Sequence, residues 1–119
     1  MIPEIKNGRF VKDYTGKTIK GVFDCTSEEL ISLKGAPRKT GGFECSYNYL
    51  TSLKDAPEIV DGFFSCCDNP LSIGALLIGL LHIQITGTIF SDYNNDLINK
   101  WYKSGPHKKI VMIFTEKWI

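Results

Sequence analysis

Charge of either sign in excess is what this chain lacks. Its 14 Lys and Arg stand against 13 Asp and Glu, a formal net charge of +1 over 119 residues. A nucleic-acid binder ordinarily carries a basic excess that releases counterions from phosphates, and a mimic of DNA needs a strongly acidic surface. The composition argues against both. Histidine is scarce, with His82 in an apolar alternation and His107 in a Gly-Pro-His-Lys-Lys loop. Catalysis by acid and base or by a nucleophile wants a base beside its partner and a third group to orient it. No motif of that kind occurs. Gly16-Lys17-Thr18 lacks the upstream glycine of a phosphate loop, Val11 standing there instead, so it reads as a turn. The expectation is a protein that is not an enzyme and needs no cofactor. Met1-Ile2-Pro3-Glu4 leads at once into polar residues, not the apolar run of a secretory leader. That predicts a cytoplasmic protein with reduced thiols.

A full-length membrane span is also missing. Asn69 to Ser91 carries no Asp, Glu, Lys or Arg, and Ile73 to Leu81 is almost wholly apolar. Spanning a bilayer takes about 20 such residues. The second half, His82-Ile83-Gln84-Ile85-Thr86-Gly87-Thr88-Ile89, alternates polar and apolar as a strand does. A buried element closing the core is the expectation, with strand and helix both open across 71–90.

What the chain does have is a repeat. Phe23-Asp24-Cys25-Thr26-Ser27-Glu28-Glu29-Leu30-Ile31-Ser32-Leu33 aligns with Phe43-Glu44-Cys45-Ser46-Tyr47-Asn48-Tyr49-Leu50-Thr51-Ser52-Leu53, and Phe64-Ser65-Cys66-Cys67-Asp68-Asn69-Pro70-Leu71 continues the series. From Phe23 to Phe43 and from Phe43 to Phe64 the interval is the same to within one position. Phe and Cys two positions apart on a strand share its inner face, so Asp24, Glu44 and Ser65 between them should point out. Asn48 and Asn69 turn the chain and bond to backbone left over by the strands. Leu30, Leu50 and Leu71 pack behind. Ala36-Pro37 and Ala56-Pro57 force an extended return, and Gly41-Gly42 and Gly62 permit the bend into the next Phe. The first copy has Glu28 in place of Asn. Upstream, Ile2 to Phe10 echoes Ala56 to Phe64 as a degenerate, polar first coil suited to an N-terminal cap.

Written generically the unit is F-x-C-x-x-N-x-L-x-x-L, the spacing of a leucine-rich repeat with Phe and Cys in two aliphatic positions. Over Phe23 to Leu71 the chain resembles the small bacteriophage and bacterial leucine-rich-repeat-like proteins. The resemblance implies a short β-solenoid and a phage origin. The predicted class is therefore α/β, rich in β, as one domain. Residues 1–22 form the N-terminal cap and degenerate coil, 23–74 the repeat coils, and 75–119 a C-terminal α/β cap. Within that cap Ser91-Asp92 is the expected N-cap of a helix bearing Tyr93, Leu97, Ile98, Trp101 and Tyr102, and Lys108 to Phe114 the expected strand.

Cys25, Cys45 and Cys66 should stack as a column inside the coils, nearly linear and so unsuited to a tetrahedral metal; Cys67 points the other way, and no metal is expected. The repeat sheet is the expected working surface, with Asp24, Ser27, Glu44, Ser46, Tyr47, Tyr49, Ser65 and Asp68 as partner-binding residues. Exposed polar groups that merely keep a sheet in water are the alternative. Lys100, Trp101, Lys103, His107, Lys108 and Lys109 form a second, basic and aromatic candidate patch, against which stands the plain reading of solvated lysines at a helix end. These features predict an interaction module that acts by occlusion, and the resemblance to small phage proteins implies that its target is a host protein such as a CRISPR or other immunity factor. The alternative is a small-ligand or nucleotide sponge. Homodimers through exposed coil edges are a further expectation.

Overall fold

The computed structural model describes residues 1–105. The strand expected at Lys108 to Phe114, and His107, Lys108 and Lys109 of the basic patch, lie outside them. The fold is α/β, with parallel sheets and two helices among the described residues, and no sheet there closes into a barrel. The chain opens with an antiparallel hairpin, β1 (Ile5–Lys6) and β2 (Arg9–Phe10). Seven further short strands among the described residues build two parallel sheets.

One sheet runs β3 (Phe23–Asp24), β5 (Phe43–Glu44), β7 (Phe64–Ser65), β9 (Ile89–Phe90). The other runs β4 (Lys39–Thr40), β6 (Ile59–Val60), β8 (Gln84–Ile85), with Thr18 bridged to Lys39 at its start. Each repeat thus lays one short strand into each sheet. Register is in phase: Phe23 faces Phe43, Phe43 faces Phe64, and Phe64 faces Ile89. Between the two sheets the chain turns a corner at Gly41, Gly62 and Gly87. A Cβ on Gly41 would come within 2.5 Å of the Gly21 carbonyl oxygen, and one on Gly87 within 2.5 Å of the Gly62 carbonyl carbon. Side chains do not fit where backbone meets backbone.

The core is the predicted column. Phe23, Phe43 and Phe64 are fully buried, and their rings stack at 5.8 Å with interplanar angles of 1° and 12°. Such pairs add about 0.5–1.5 kcal/mol beyond burial. Cys25, Cys45 and Cys66 lie beside them, with Leu30, Leu33, Leu50, Leu53 and Leu71 behind. The bottom of the stack is sealed edge-on by Phe10 and Tyr14, whose rings meet Phe23 at 5.6 and 5.4 Å.

Three expectations need correction. Ile2 to Phe10 does not form the degenerate coil expected there. Asn7 and Gly8 both adopt positive φ (54° and 75°), the conformation of a tight two-residue hairpin turn, and the chain folds back on itself. Second, the repeat does not end near residue 74. A helix, α1 (Ile73–Leu80), is inserted after Leu71, capped by the Ser72 hydroxyl accepting from the Ala75 N–H, and then β8 and β9 resume both ladders. Helix and strand therefore both occur across 71–90. Third, the last helix, α2 (Asn95–Lys103), starts later than Ser91-Asp92 implied; Asn94 is the N-cap, its side chain accepting from the Leu97 N–H. Ile98, Trp101 and Tyr102 are its buried residues.

Candidate functional site

The outer face of the β3–β5–β7–β9 sheet holds a shallow groove of about 440 Å³ lined by Thr26, Glu44, Ser46, Tyr47, Phe63, Ser65, Cys67 and Phe90. Its shape follows from the repeat. Just beyond β3, β5 and β7 the chain bends through a residue in the left-handed region: Ser27 at φ 59°, Tyr47 at 59° and Asp68 at 54°. That bend throws the Tyr47 side chain outward, 59% exposed, where Phe90 from the next-but-one strand stands 42% exposed. Phe63 packs edge-on against Phe90 with ring centroids 6.4 Å apart.

The floor is polar and tied down. Ser46 and Ser65 share a hydroxyl–hydroxyl bond of 2.8 Å, and the Ser46 Oγ accepts the Cys67 N–H at 3.1 Å. Both serines are buried, 4% and 6% exposed, so they build the groove rather than project from it. This corrects their placement on the exposed side. Their hydroxyls are small enough to sit under the neighbouring side chains and each already has a partner.

The carboxylates of this face are held by local bonds. Asp24 accepts from the Thr26 hydroxyl at 2.6 Å and its N–H at 3.0 Å, which keeps its pKa below the usual carboxylate value. Glu44 accepts the Ser46 N–H at 2.9 Å. Both Asp92 oxygens accept the Asp68 N–H, at 2.8 and 2.9 Å. The Asp68 carboxylate beside Tyr47 and its hydrogen bond to the phenol push that phenol's pKa up, with smaller contributions from desolvation, Cys67 and Asp92. Asp24 and Glu44 are half-buried, while Ser27, Asp68 and Tyr49 are exposed. Of the residues expected to bind, Glu44 and Tyr47 meet in the groove with Asp68 against Tyr47; Tyr49, Ser27 and Asp24 lie outside its lining.

Phe90, Phe63 and Asp92 are site residues that sequence reasoning missed. The signal existed. Ile89-Phe90-Ser91-Asp92-Tyr93-Asn94 aligns with Phe43-Glu44-Cys45-Ser46-Tyr47-Asn48, but the insertion of α1 lengthens this coil beyond the others, and Ile and Ser replace the diagnostic Phe and Cys.

The thiol column is structural. Cys25 donates to the Glu44 carbonyl and Cys45 to that of Ser65, each at 3.3 Å, while Cys66 lies 3.7 Å from that of Phe90. Burial pushes all three thiols well above the ordinary cysteine pKa. Cys67 is half-buried and faces the groove. Among the described residues no three His, Cys, Asp or Glu side chains converge as metal ligands would.

Of the basic and aromatic candidate patch, Lys100, Trp101 and Lys103 fall within the described residues. Lys100 and Lys103 are exposed on α2, but Trp101 between them is 3% exposed and belongs to the core. An amphipathic helix must bury its one apolar stripe. A second pocket, of about 480 Å³, opens between α1 and the Ser52–Ala56 loop, with Leu53, Ala56, Ala75, Ile78, Gly79 and Ile83 as its apolar walls and His82 also in its lining.

Sheet edges, the expected route to dimers, are occupied at both ends. Met1 O accepts the Asp24 N–H on β3 at 2.8 Å. On β9 Asn99 both accepts the Ile89 N–H and donates to the Ile89 carbonyl, at 2.9 Å each, and Asn95 accepts the Ser91 N–H at 2.9 Å. On β8 the Tyr102 hydroxyl accepts from the Ile85 N–H at 2.8 Å. No helix among the described residues is long and apolar enough to cross a membrane.

Comparison of the chain with protein-family models, with curated proteins and with solved structures finds no match.

Proposed function

We propose that this chain is a short leucine-rich-repeat-like β-solenoid serving as a non-enzymatic protein–protein interaction module, with the β3–β5–β7–β9 face as its working surface. The observation that carries the reading is Tyr47. A tyrosine at φ 59° is in a backbone region that costs an L-residue roughly 1–2 kcal/mol, and this one is 59% exposed. Folding does not need an aromatic there, since Ser27 and Asp68 fill the equivalent bends. Strain at an exposed aromatic points to recognition. The in-phase ladders of Phe, Cys and Leu support the solenoid. The resemblance of the repeat to phage and bacterial proteins extends the proposal to a cytoplasmic inhibitor that occludes a host defence protein. Affinity capture from host lysate tests it: a stoichiometric partner retained by the native protein and lost with Glu44→Ala and Tyr47→Ala is expected. Identical capture by native and variant proteins would sink the assignment of this face.

The pocket beside α1 favours a second reading, a small apolar ligand. Any ligand of the native state raises its melting temperature, so a thermal-shift screen against fatty acids and small aromatic compounds checks it, and a flat screen removes it.

A further inference from the structure

The groove face is electrically one-sided. From Thr40 to Leu53 and from Asp55 to Asn99 the chain has no Lys or Arg, and those two segments supply β5, β7 and β9 with the bends that follow them. Glu44, Asp68 and Asp92 stand there without an ion pair; among the described residues the ion pair found is Arg38–Glu58, at 3.8 Å, in the segments leading into β4 and β6. Their local hydrogen bonds come from backbone N–H groups or from Tyr47, leaving lone pairs free for a cationic donor. Glu44 lines the groove with the exposed rings of Tyr47 and Phe90, and Asp68 and Asp92 act electrostatically on Tyr47 at its side. Carboxylates alone would take any cation. Carboxylates beside exposed aromatic rings favour a planar one, because guanidinium stacks on a ring face while its N–H fork reaches an acid, and ammonium does so less well.

We propose that the groove between Tyr47 and Phe90 receives an arginine-bearing segment of a partner protein, its guanidinium groups stacked on those rings and bonded to Glu44, Asp68 and Asp92. The proposal rests on the interaction-module reading and adds the chemistry of the partner. Strand addition is not the route, since Met1, Asn95, Asn99 and Tyr102 already occupy edge groups of the sheets. The segment lies across the strands.

Fluorescence anisotropy of labelled hexa-arginine tests this, with hexa-lysine and spermine as competing probes. Hexa-arginine binds the native protein more tightly than hexa-lysine, and binding weakens as salt rises. The double variant Glu44→Gln, Asp92→Asn keeps one side-chain oxygen at each position to accept the Ser46 and Asp68 N–H groups, and loses about tenfold or more in hexa-arginine affinity. Phe90→Ser, the residue of the preceding strand at that position, weakens hexa-arginine while hexa-lysine changes little. Lys54→Gln, outside the groove, leaves both unchanged. Melting curves establish that each variant is folded, and Asp68→Asn replaces the double variant if that one melts early. Equal affinity for hexa-arginine and hexa-lysine, spermine competing as well as hexa-arginine, or no loss in the carboxylate variants overturns the proposal. A lysate partner lost with Tyr47→Ala but kept by the double variant would overturn it too, while leaving the interaction-module reading standing.

Discussion

The Asn48 side-chain amide donates to the Cys25 carbonyl of the preceding repeat at 2.9 Å, and its oxygen accepts the N–H groups of Glu28 and Leu30, at 3.1 and 2.9 Å. It also donates to its own repeat, at the Cys45 and Ser46 carbonyls. Asn69 does the same one repeat on, donating to the Cys45, Cys66 and Cys67 carbonyls and accepting the Leu50 N–H. Each asparagine therefore serves the repeat before it. That is why the first copy can carry Glu28: the hairpin beneath it presents no bend of the same kind.

Asn48→Ala leaves buried backbone groups of two repeats without partners. At about 1 kcal/mol or more for each unmet group, the expected loss is about 3 kcal/mol, read as a lower urea midpoint. Asn48→Asp keeps the acceptor but not the donor and should fall no less. A loss below about 1 kcal/mol would contradict this role.

Tyr47→Asn relieves the left-handed strain, because asparagine tolerates that region. Stability should rise by about 0.5–1 kcal/mol, offset in part by the lost bond to Asp68, while partner capture falls. A variant both less stable and equally sticky would show that Tyr47 is there for packing.

Gly87→Ala drives a Cβ to 2.5 Å from the Gly62 carbonyl carbon, with backbone rather than a pliable side chain in the way. The corner must open, and β8 and β9 must shift together. The expected loss is about 2 kcal/mol or more by overpacking, seen in thermal melts. Gly16→Ala, with nothing near its Cβ but φ at +80°, should cost about 1 kcal/mol.

Cys25, Cys45 and Cys66 are buried and protonated far into the alkaline range, so in the folded protein they should resist a thiol reagent that labels Cys67 slowly. The unfolded thiols ionise near pH 8.5 while the folded ones do not. The folded state then holds more protons than the unfolded, so the stability they contribute is present below that pH and is lost as pH rises through and above it. Each thiol adds up to about 1.4 kcal/mol per pH unit. Urea midpoints at pH 7, 9 and 10 check this. Cys45→Ala should flatten the alkaline slope, and an unchanged slope would remove the claim.

Asn99→Ala uncovers both backbone groups of Ile89 on β9. Loss of about 1–2 kcal/mol is expected, together with concentration-dependent association through the opened edge. Light scattering across a dilution series is the measurement. A strictly monomeric variant would mean that other contacts of α2 guard the edge.

The repeat carried most of the fold in plain view. Phe and Cys two apart must share a face of an extended chain, and a nearly constant interval from Phe23 to Phe43 to Phe64 lets copies stack in phase. Asn, Leu and Ala-Pro then had local duties that any such stack imposes, so the buried column was legible before any coordinates. Its termination was not. Asn7-Gly8 made a hairpin where likeness to Ala56–Phe64 implied a coil, because turn chemistry acts between near neighbours and repeat identity only after stacking. Whether 71–90 was helix or strand depended on Leu76, Leu77 and Leu80 finding a place beside the core, and it proved to be both in turn. The working face shows the same division. Glu44 and Tyr47 could be read from alternation, yet which polar residues sink was decided by neighbours on other strands. Ser46 and Ser65 bond to each other and vanish, Trp101 turns inward, and Phe90 arrives from beyond α1 to complete the groove. Periodicity sets what a residue can face within its own strand. Only packing between distant segments sets what it meets there.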